Sequence, residues 1–237
     1  MYTEKEIDRR TGIVTGAAQG IGKEVAFALA KKGTNLILAD THTKKLKQAV
    51  KEIRLINENT IGIRTNVRME QDVKRTTEKG LEKFGKIDFL INCAGIAVMK
   101  ELKETGTKEF EKVLDTNLKG IFLFCKYVVP VMEQNKFGVI VNIASGLGKK
   151  GMKGFSAYSA SKFGVIGLTE SLADELKDKG IKVLAMCPGG VNTEMYKTVF
   201  KNYNPANLIR PEYIAQQVTK ICYESYLVKT GSSLELY

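Results

Sequence analysis

Short apolar runs alternate with longer amphipathic stretches along nearly the whole chain. The runs Ile13–Thr15, Asn35–Asp40, Ile61–Val67, Ile87–Cys93, Gly138–Ala144, Ile181–Cys187 and Ser233–Leu236 are too short for helices. Several are apolar at consecutive positions, as in Leu36-Ile37-Leu38-Ala39 and Val139-Ile140-Val141. Such runs predict strands covered on both faces. Between them, the windows Ile21–Lys32, Lys44–Asn57, Gln71–Phe84, Lys108–Gln134, Ala157–Lys179 and Pro211–Tyr226 predict helices. Gly33, Gly85 and Gly180 each come directly after one of these windows, where a residue tolerant of the left-handed conformation ends a helix. Repeated β–α alternation demands parallel pairing through right-handed crossovers. The expected fold class is α/β, a doubly wound parallel seven-stranded sheet. No linker or repeat divides it, so residues 1–237 are expected to form one domain.

Composition narrows the picture. At 237 residues and 26.3 kDa the chain suits one such unit. With 43% hydrophobic and 27% charged residues, disorder is excluded. No apolar run reaches the roughly 18 residues needed to span a bilayer, and Lys126 interrupts the best stretch, Ile121–Met132. Met1–Arg10 is charged and lacks the apolar core of a secretory signal. A soluble, cytoplasmic protein is expected. Cys93, Cys125, Cys187 and Cys222 are far apart and His42 is the single histidine, so no metal site built on His or Cys is expected. Buried, reduced thiols are the simpler reading. The net charge of +11 is spread along the chain, with lysines alternating with acids as in Lys44–Glu58. It attracts anions in general, including phosphate-bearing cofactors and acyl carriers. No nucleic-acid motif accompanies it, so neither nucleic acid nor membrane is an expected partner.

Chemistry enters at the first strand–helix junction, Thr15-Gly16-Ala17-Ala18-Gln19-Gly20-Ile21-Gly22. Three glycines permit a tight turn and let a pyrophosphate approach the N–H groups that open a helix. Glycines also serve close helix–strand packing, but this place in the chain favours dinucleotide binding. Asp40 ends the second strand, where a carboxylate accepts hydrogen bonds from the adenosine ribose and repels a 2′-phosphate. NAD is therefore favoured over NADP, although His42, Lys44 and Lys45 stand close behind and an N-cap role for Asp40 is the alternative. Further along, Tyr158 and Lys162 stand four residues apart and share one helix face. A cation beside a phenol favours the phenolate and brings it towards a working range for proton transfer.

Taken in order, the glycine loop, Asn92-Cys93-Ala94-Gly95, Asn117, Ser145, the Tyr158/Lys162 pair and Pro188-Gly189 resemble the short-chain dehydrogenase/reductase superfamily, over essentially Arg10 to Gly231. The resemblance implies a Rossmann fold and an NAD(P)-dependent oxidoreductase interconverting a ketone and a secondary alcohol. It implies Tyr158 as general acid and base, Ser145 holding the substrate oxygen, and Lys162 binding the nicotinamide ribose while lowering the Tyr158 pKa. Asn117 would hold a water that relays protons from Lys162. Cofactor contacts implied in the same way are Gly16, Gln19, Gly20, Ile21, Gly22, Asp40, Asn92, Ala94, Gly95, Tyr158, Lys162, Pro188, Gly189, Val191 and Thr193. Asn66 and Val67 stand where the family usually places Asp-Val facing the adenine.

The substrate is less legible. Residues 189–210 come after the sixth strand and are expected to form a mobile lid, with Met195, Tyr196, Val199, Phe200 and Tyr203 offering apolar surface. Lys149, Lys150 and Lys153 lie near the expected pocket mouth, and Lys136 and Lys179 stand where acyl-carrier-protein reductases of the family often carry basic residues. The most specific expectation is a 3-oxoacyl reductase acting on a small-molecule or acyl-carrier-bound carbonyl. A secondary-alcohol, sugar or steroid-type dehydrogenase stays open, as does a dinucleotide-sensing scaffold. The apolar surface of Lys108–Gln134 exceeds one stripe, which predicts a homodimer or homotetramer.

Overall fold

The computed structural model describes residues 9–237, so the reading of the N-terminus falls, for residues 1–8, outside the described part. The strands are β1 (Thr11–Thr15), β2 (Asn35–Asp40), β3 (Thr60–Arg64), β4 (Phe89–Asn92), β5 (Gly138–Ile143), β6 (Ile181–Pro188) and β7 (Ser233–Leu236). The helices are α1 (Gly20–Lys31), α2 (Thr43–Arg54), α3 (Glu70–Phe84), α4 (Thr107–Leu114), α5 (Gly120–Asn135), α6 (Ser156–Leu176), α7 (Glu194–Val199) and α8 (Pro211–Tyr223).

All pairings are parallel, in the order β3-β2-β1-β4-β5-β6-β7. The chain runs outward from β1 to β3, then returns beside β1 at β4 and runs outward again. Between β1 and β4 the direction reverses, and a crevice opens beyond their carboxyl ends. The apolar runs read correctly as strands covered on both sides. In β2, Leu36 and Leu38 join the core beneath α1 and α8, while Ile37 and Ala39 join the core with Phe124 of α5 and Val165 of α6. Gly33, Gly85 and Gly180 adopt φ of 77°, 74° and 74°, as expected of helix terminators.

The outer edge of β3 is occupied by arginines. Arg54 donates to the Thr60 carbonyl at 2.8 Å and Arg75 to the Arg64 carbonyl at 3.0 Å, which removes acceptors another strand would need. At the amino ends of the strands, the carboxylate of buried Asp88 receives Arg10 at 2.8 Å and the Thr11 amide at 2.8 Å.

The window Lys108–Gln134 is helical throughout but not uniformly α-helical. A π-helical turn, Asp115–Lys119, separates α4 from α5 and inserts Asn117 into the interior. Wider turns of this kind concentrate at functional sites, because they redirect one side chain without ending the helix. The third strand stops at Arg64 rather than Val67, placing Asn66 and Val67 in the loop before α3.

Candidate active site

Loops and helix starts at the carboxyl ends of the strands build the crevice. After β1, Gly16 and Gly20 hold φ of 63° and 57° in the loop that opens α1. The space left by the glycines is structural as well as open. A Cβ on Gly22 would come within 2.4 Å of the Gly16 carbonyl oxygen, and one on Gly16 within 2.9 Å of the Ala94 backbone. Gln19, at the helix N-cap, makes no side-chain capping bond, so its first amides are left to a ligand. Thr15, which the sequence did not single out, accepts from the amides of Cys93 and Ala94 at 3.0 Å each and ties the loop after β4 to β1. A hydroxyl closing a strand just before a glycine loop was the available signal.

Asp40 is fixed from two sides, accepting from the Ala18 amide at 3.1 Å and the His42 amide at 2.8 Å. It does not cap α2; His42 Nδ1 does, receiving the Lys45 amide at 3.4 Å. The Lys45 ammonium donates to Gln19 Oε1 at 2.5 Å, bringing a cation to the rim of the glycine loop. Asn66 turns its Oδ1 to the amide and Nε of Arg68, and buried Val67 lies against Gly120 at the start of α5. Asn92 is turned away from the crevice. It donates to Asn142 Oδ1 at 2.8 Å, and Asn142 donates to Thr169 at 3.0 Å, a buried chain binding β4 and β5 to α6.

The reactive groups meet beyond β5. Ser145 caps a short turn, its hydroxyl accepting from the Leu147 amide at 3.1 Å, and it lines the same cavity as Tyr158, close enough to the phenol to affect its titration. Buried Lys162 donates to the Ile143 carbonyl at 2.7 Å, with its nitrogen 5.6 Å from the Tyr158 ring centre. Burial pulls the Lys162 ammonium down to about 8, against a push upward from the Cys93 and Cys187 thiols. The lowering of Tyr158 expected from Lys162 is not among the influences on the phenol in this structure. Burial raises the phenol above its ordinary value, and the offsetting influence is the Ser145 hydroxyl. Asn117 is clamped by Ile96, accepting from its amide at 2.8 Å and donating to its carbonyl at 2.9 Å. It also donates to Ser161 Oγ at 3.0 Å, and that hydroxyl donates to the Tyr158 carbonyl at 2.7 Å. Ser161, absent from the expected set, thus links Asn117 to the helix bearing Tyr158.

Ser145, Tyr158 and Lys162 line a cavity of about 680 Å³, with Asn117 and Ser161 behind them. Ile21, Gly95, Ser145, Tyr158, Lys162, Pro188, Gly189, Val191 and Thr193 line its inner part, and Met152, Phe155, Met195, Tyr196, Val199 and Phe200 its outer wall. The residues fit a dinucleotide. A Cβ on Gly95 would stand 3.3 Å from Asn117 Oδ1 and 3.8 Å from the Lys162 ammonium, so glycine keeps the approach to that cation open. The cradle thus runs from Asp40, past the uncapped start of α1, to Lys162. The segment 189–210 contains a helix, α7, whose start is capped by Thr193 Oγ1 receiving the Tyr196 amide at 3.4 Å. Tyr237 also reaches the cavity, beside Gly189 and Gly146. Among the described residues no cluster of His, Cys, Asp and Glu is suited to a metal ion.

A model of the short chain dehydrogenase family matches residues 10–204. The chain belongs to the short-chain dehydrogenase family. It is accordingly an NAD(P)-linked oxidoreductase working between CH–OH and carbonyl groups. It is 37% identical over 187 residues to a 3-oxoacyl-[acyl-carrier-protein] reductase of Staphylococcus epidermidis, covering 78% of this chain and 77% of that protein. It is 36% identical over 199 residues to an uncharacterized oxidoreductase of Thermotoga maritima, covering 84% and 78%. Among solved short-chain dehydrogenases, it superposes on the 3-ketoacyl-(acyl-carrier-protein) reductase of Brucella melitensis complexed with NADH. The TM-score is 0.90, with 26% identity over 96% of both chains. An actinorhodin polyketide ketoreductase with NADPH gives 0.91 and 30% identity, covering 97% of this chain and 96% of that one.

Proposed function

We propose that this short-chain dehydrogenase reduces a ketone with NADH, or runs the reverse oxidation, using Tyr158 as proton donor and acceptor. The observation that carries the proposal is the convergence of Tyr158, Ser145 and Lys162 on one cavity at the switch point of the sheet. Nicotinamide supplies or takes the hydride. The Ser145 hydroxyl, on the same cavity as the phenol, holds the carbonyl oxygen and steadies charge developing there. Tyr158 delivers its proton to that oxygen. Lys162 would hold the ribose hydroxyls of the coenzyme, and its charge would favour the phenolate left behind. Asn117 anchors the turn behind Lys162 and completes the proton path to solvent.

NAD is supported by Asp40, whose carboxylate is held at the end of β2. A 3-oxoacyl substrate, free or carrier-bound, is supported by the apolar outer wall, by Lys150 on the lining and by the Staphylococcus and Brucella relatives. Carrier docking draws on fewer cations than the sequence offers, because Lys179 pairs with Glu133 and Lys153 with Glu101 at 3.3 Å. A homodimer or homotetramer is supported by Phe110, Phe122 and Phe163, exposed on α4, α5 and α6. Four unpaired thiols suit a reducing cytoplasm, and no helix among the described residues is long and apolar enough to cross a membrane. Residues 189–210 act as the lid of a single catalytic domain.

The test is a panel of 3-oxoacyl thioesters, cyclic and aryl ketones, sugars and secondary alcohols, assayed with both coenzymes. Turnover of 3-oxoacyl thioesters with NADH preferred is the expected result. Turnover confined to sugars or steroids overturns the acyl assignment, a clear NADPH preference overturns the coenzyme assignment, and coenzyme binding without any turnover favours a sensing scaffold.

A further inference from the structure

Five aromatic rings run in succession from the lid to the phenol. Tyr203 meets Tyr196 edge to face, with centroids 6.0 Å apart, and Tyr196 lies 4.5 Å from Phe200. Phe200 stacks on Phe155 at 5.7 Å, with 24° between planes. Phe155 then meets the Tyr158 ring edge to face at 6.1 Å. Phe155 is 2% exposed and immediately precedes α6, where its carbonyl receives the Ser159 amide at 2.7 Å. Its backbone is therefore fixed to the helix that carries Tyr158, while its ring belongs to the lid's stack. At the other end, the lid touches the coenzyme loop. The methyl of Thr193 lies over Gly20, 3.4 Å from where a Cβ would sit.

We propose that Phe155 is a positioning residue through which the lid holds the Tyr158 phenol, and that this site favours ketones bearing an apolar or aromatic group that packs against Phe155 and Phe200. The proposal rests on the reading of Tyr158 as proton donor. Met152, Met195 and Val199 extend the same apolar wall, and no acidic side chain lines the cavity among the described residues. Aromatic rings meet in preferred offset and edge geometries, so a ring fixed by two neighbours resists tilting. A lid docked by coenzyme and substrate therefore fixes the reacting oxygen as well as excluding water.

The phenol's own titration reads this coupling directly. The groups facing it are Ser145 from the loop after β5 and Lys162 from its own helix. Lys150 lies on the cavity lining, and Cys93, Cys187 and Lys149 act on the Lys162 neighbourhood. None of these is changed by substituting Phe155 or Phe200. Tyrosinate absorbance is tracked against pH as the difference between each protein and the same protein carrying Tyr158→Phe. Phe155→Leu and Phe200→Leu are each expected to lower the Tyr158 midpoint, since water enters beside the phenol, and Phe155→Tyr to keep it. Turnover of an aryl ketone is expected to fall about tenfold in both leucine variants and to be restored by Phe155→Tyr, with coenzyme KM changed less than about twofold.

Unmoved midpoints in both leucine variants overturn the proposal. So does a shift in Phe155→Leu alone, which would make Phe155 a local cover independent of the lid. Phe200→Leu, on the outer lid, keeps the test decisive should Phe155→Leu fail to fold. Full activity in Tyr158→Phe would instead remove the proton-donor reading, a result separable from the titrations.

Discussion

Two buried charges stand at opposite ends of the same sheet and are treated differently. At the amino ends, Asp88 is 3% exposed and well compensated, by Arg10, by the Thr11 amide and by Lys86 at 3.9 Å. At the carboxyl ends, Lys162 is 5% exposed and meets a carbonyl oxygen rather than a carboxylate. Burying a charge is costly unless it is paired. The first end spends its polar groups on holding β1 to β4. The second keeps a cation whose attraction is left for a ligand and for a developing phenolate. Function in this molecule lies where compensation is incomplete.

The largest way to break the contrast is Tyr158→Phe. It removes the group that the uncompensated cation serves and should lower kcat by about 10³-fold or more. Coenzyme affinity, measured by fluorescence quenching, should change less than about threefold. At the other end Asp88→Asn should cost about 3 kcal/mol, because Arg10 loses its partner and two donors lose a charged acceptor. Denaturant titration checks that loss, and kcat of the folded fraction should be unchanged.

Lys162→Met sharpens the comparison through pH. In the folded chain the lysine titrates near 8, below its ordinary value of 10.5, so the unfolded chain binds the extra proton between those limits. Stability from this group is therefore present above about pH 10.5 and lost as pH falls through about 8. Coenzyme-free wild type should gain stability relative to Lys162→Met as pH rises across that window, by roughly 1–3 kcal/mol in denaturant melts. Above about pH 10 the raised Tyr158 acts in the opposite sense, since its folded proton is the tighter one. Smallest is Asp40→Ser, which should shift the NADH-to-NADPH ratio of kcat/KM towards NADPH by about tenfold. No shift would assign Asp40 to loop bracing through Ala18 and His42 alone.

The same division explains what the sequence disclosed. Strands buried on both faces, such as β2 and β5, announce themselves by consecutive apolar residues, and glycines with a strict geometric need mark the coenzyme loop. The ordered positions of Ser145, Tyr158 and Lys162 pointed to one chemistry, and the fold brings them together. Four features were hidden. The π-turn at Asp115–Lys119 adds too little to the helical period to show within one long helical window. Helix α7 is six residues long, below the length at which periodicity speaks. The raised phenol of Tyr158 depends on burial, which proximity of Tyr158 to Lys162 in sequence does not convey. Asn92 was hidden in another way, because its place in the motif did not reveal that its amide turns to Asn142.

The proposed mechanism requires that a bound coenzyme would bring the half-buried Tyr158 phenol into working range beside Lys162. The Tyr158 titration midpoint, taken as the difference from Tyr158→Phe without and with saturating NAD⁺, reads it without intermediaries. A midpoint above the ordinary tyrosine value is expected in the free protein, with a fall of about 2 units or more once the cationic nicotinamide is bound. A midpoint that stays put at proven saturation contradicts the mechanism.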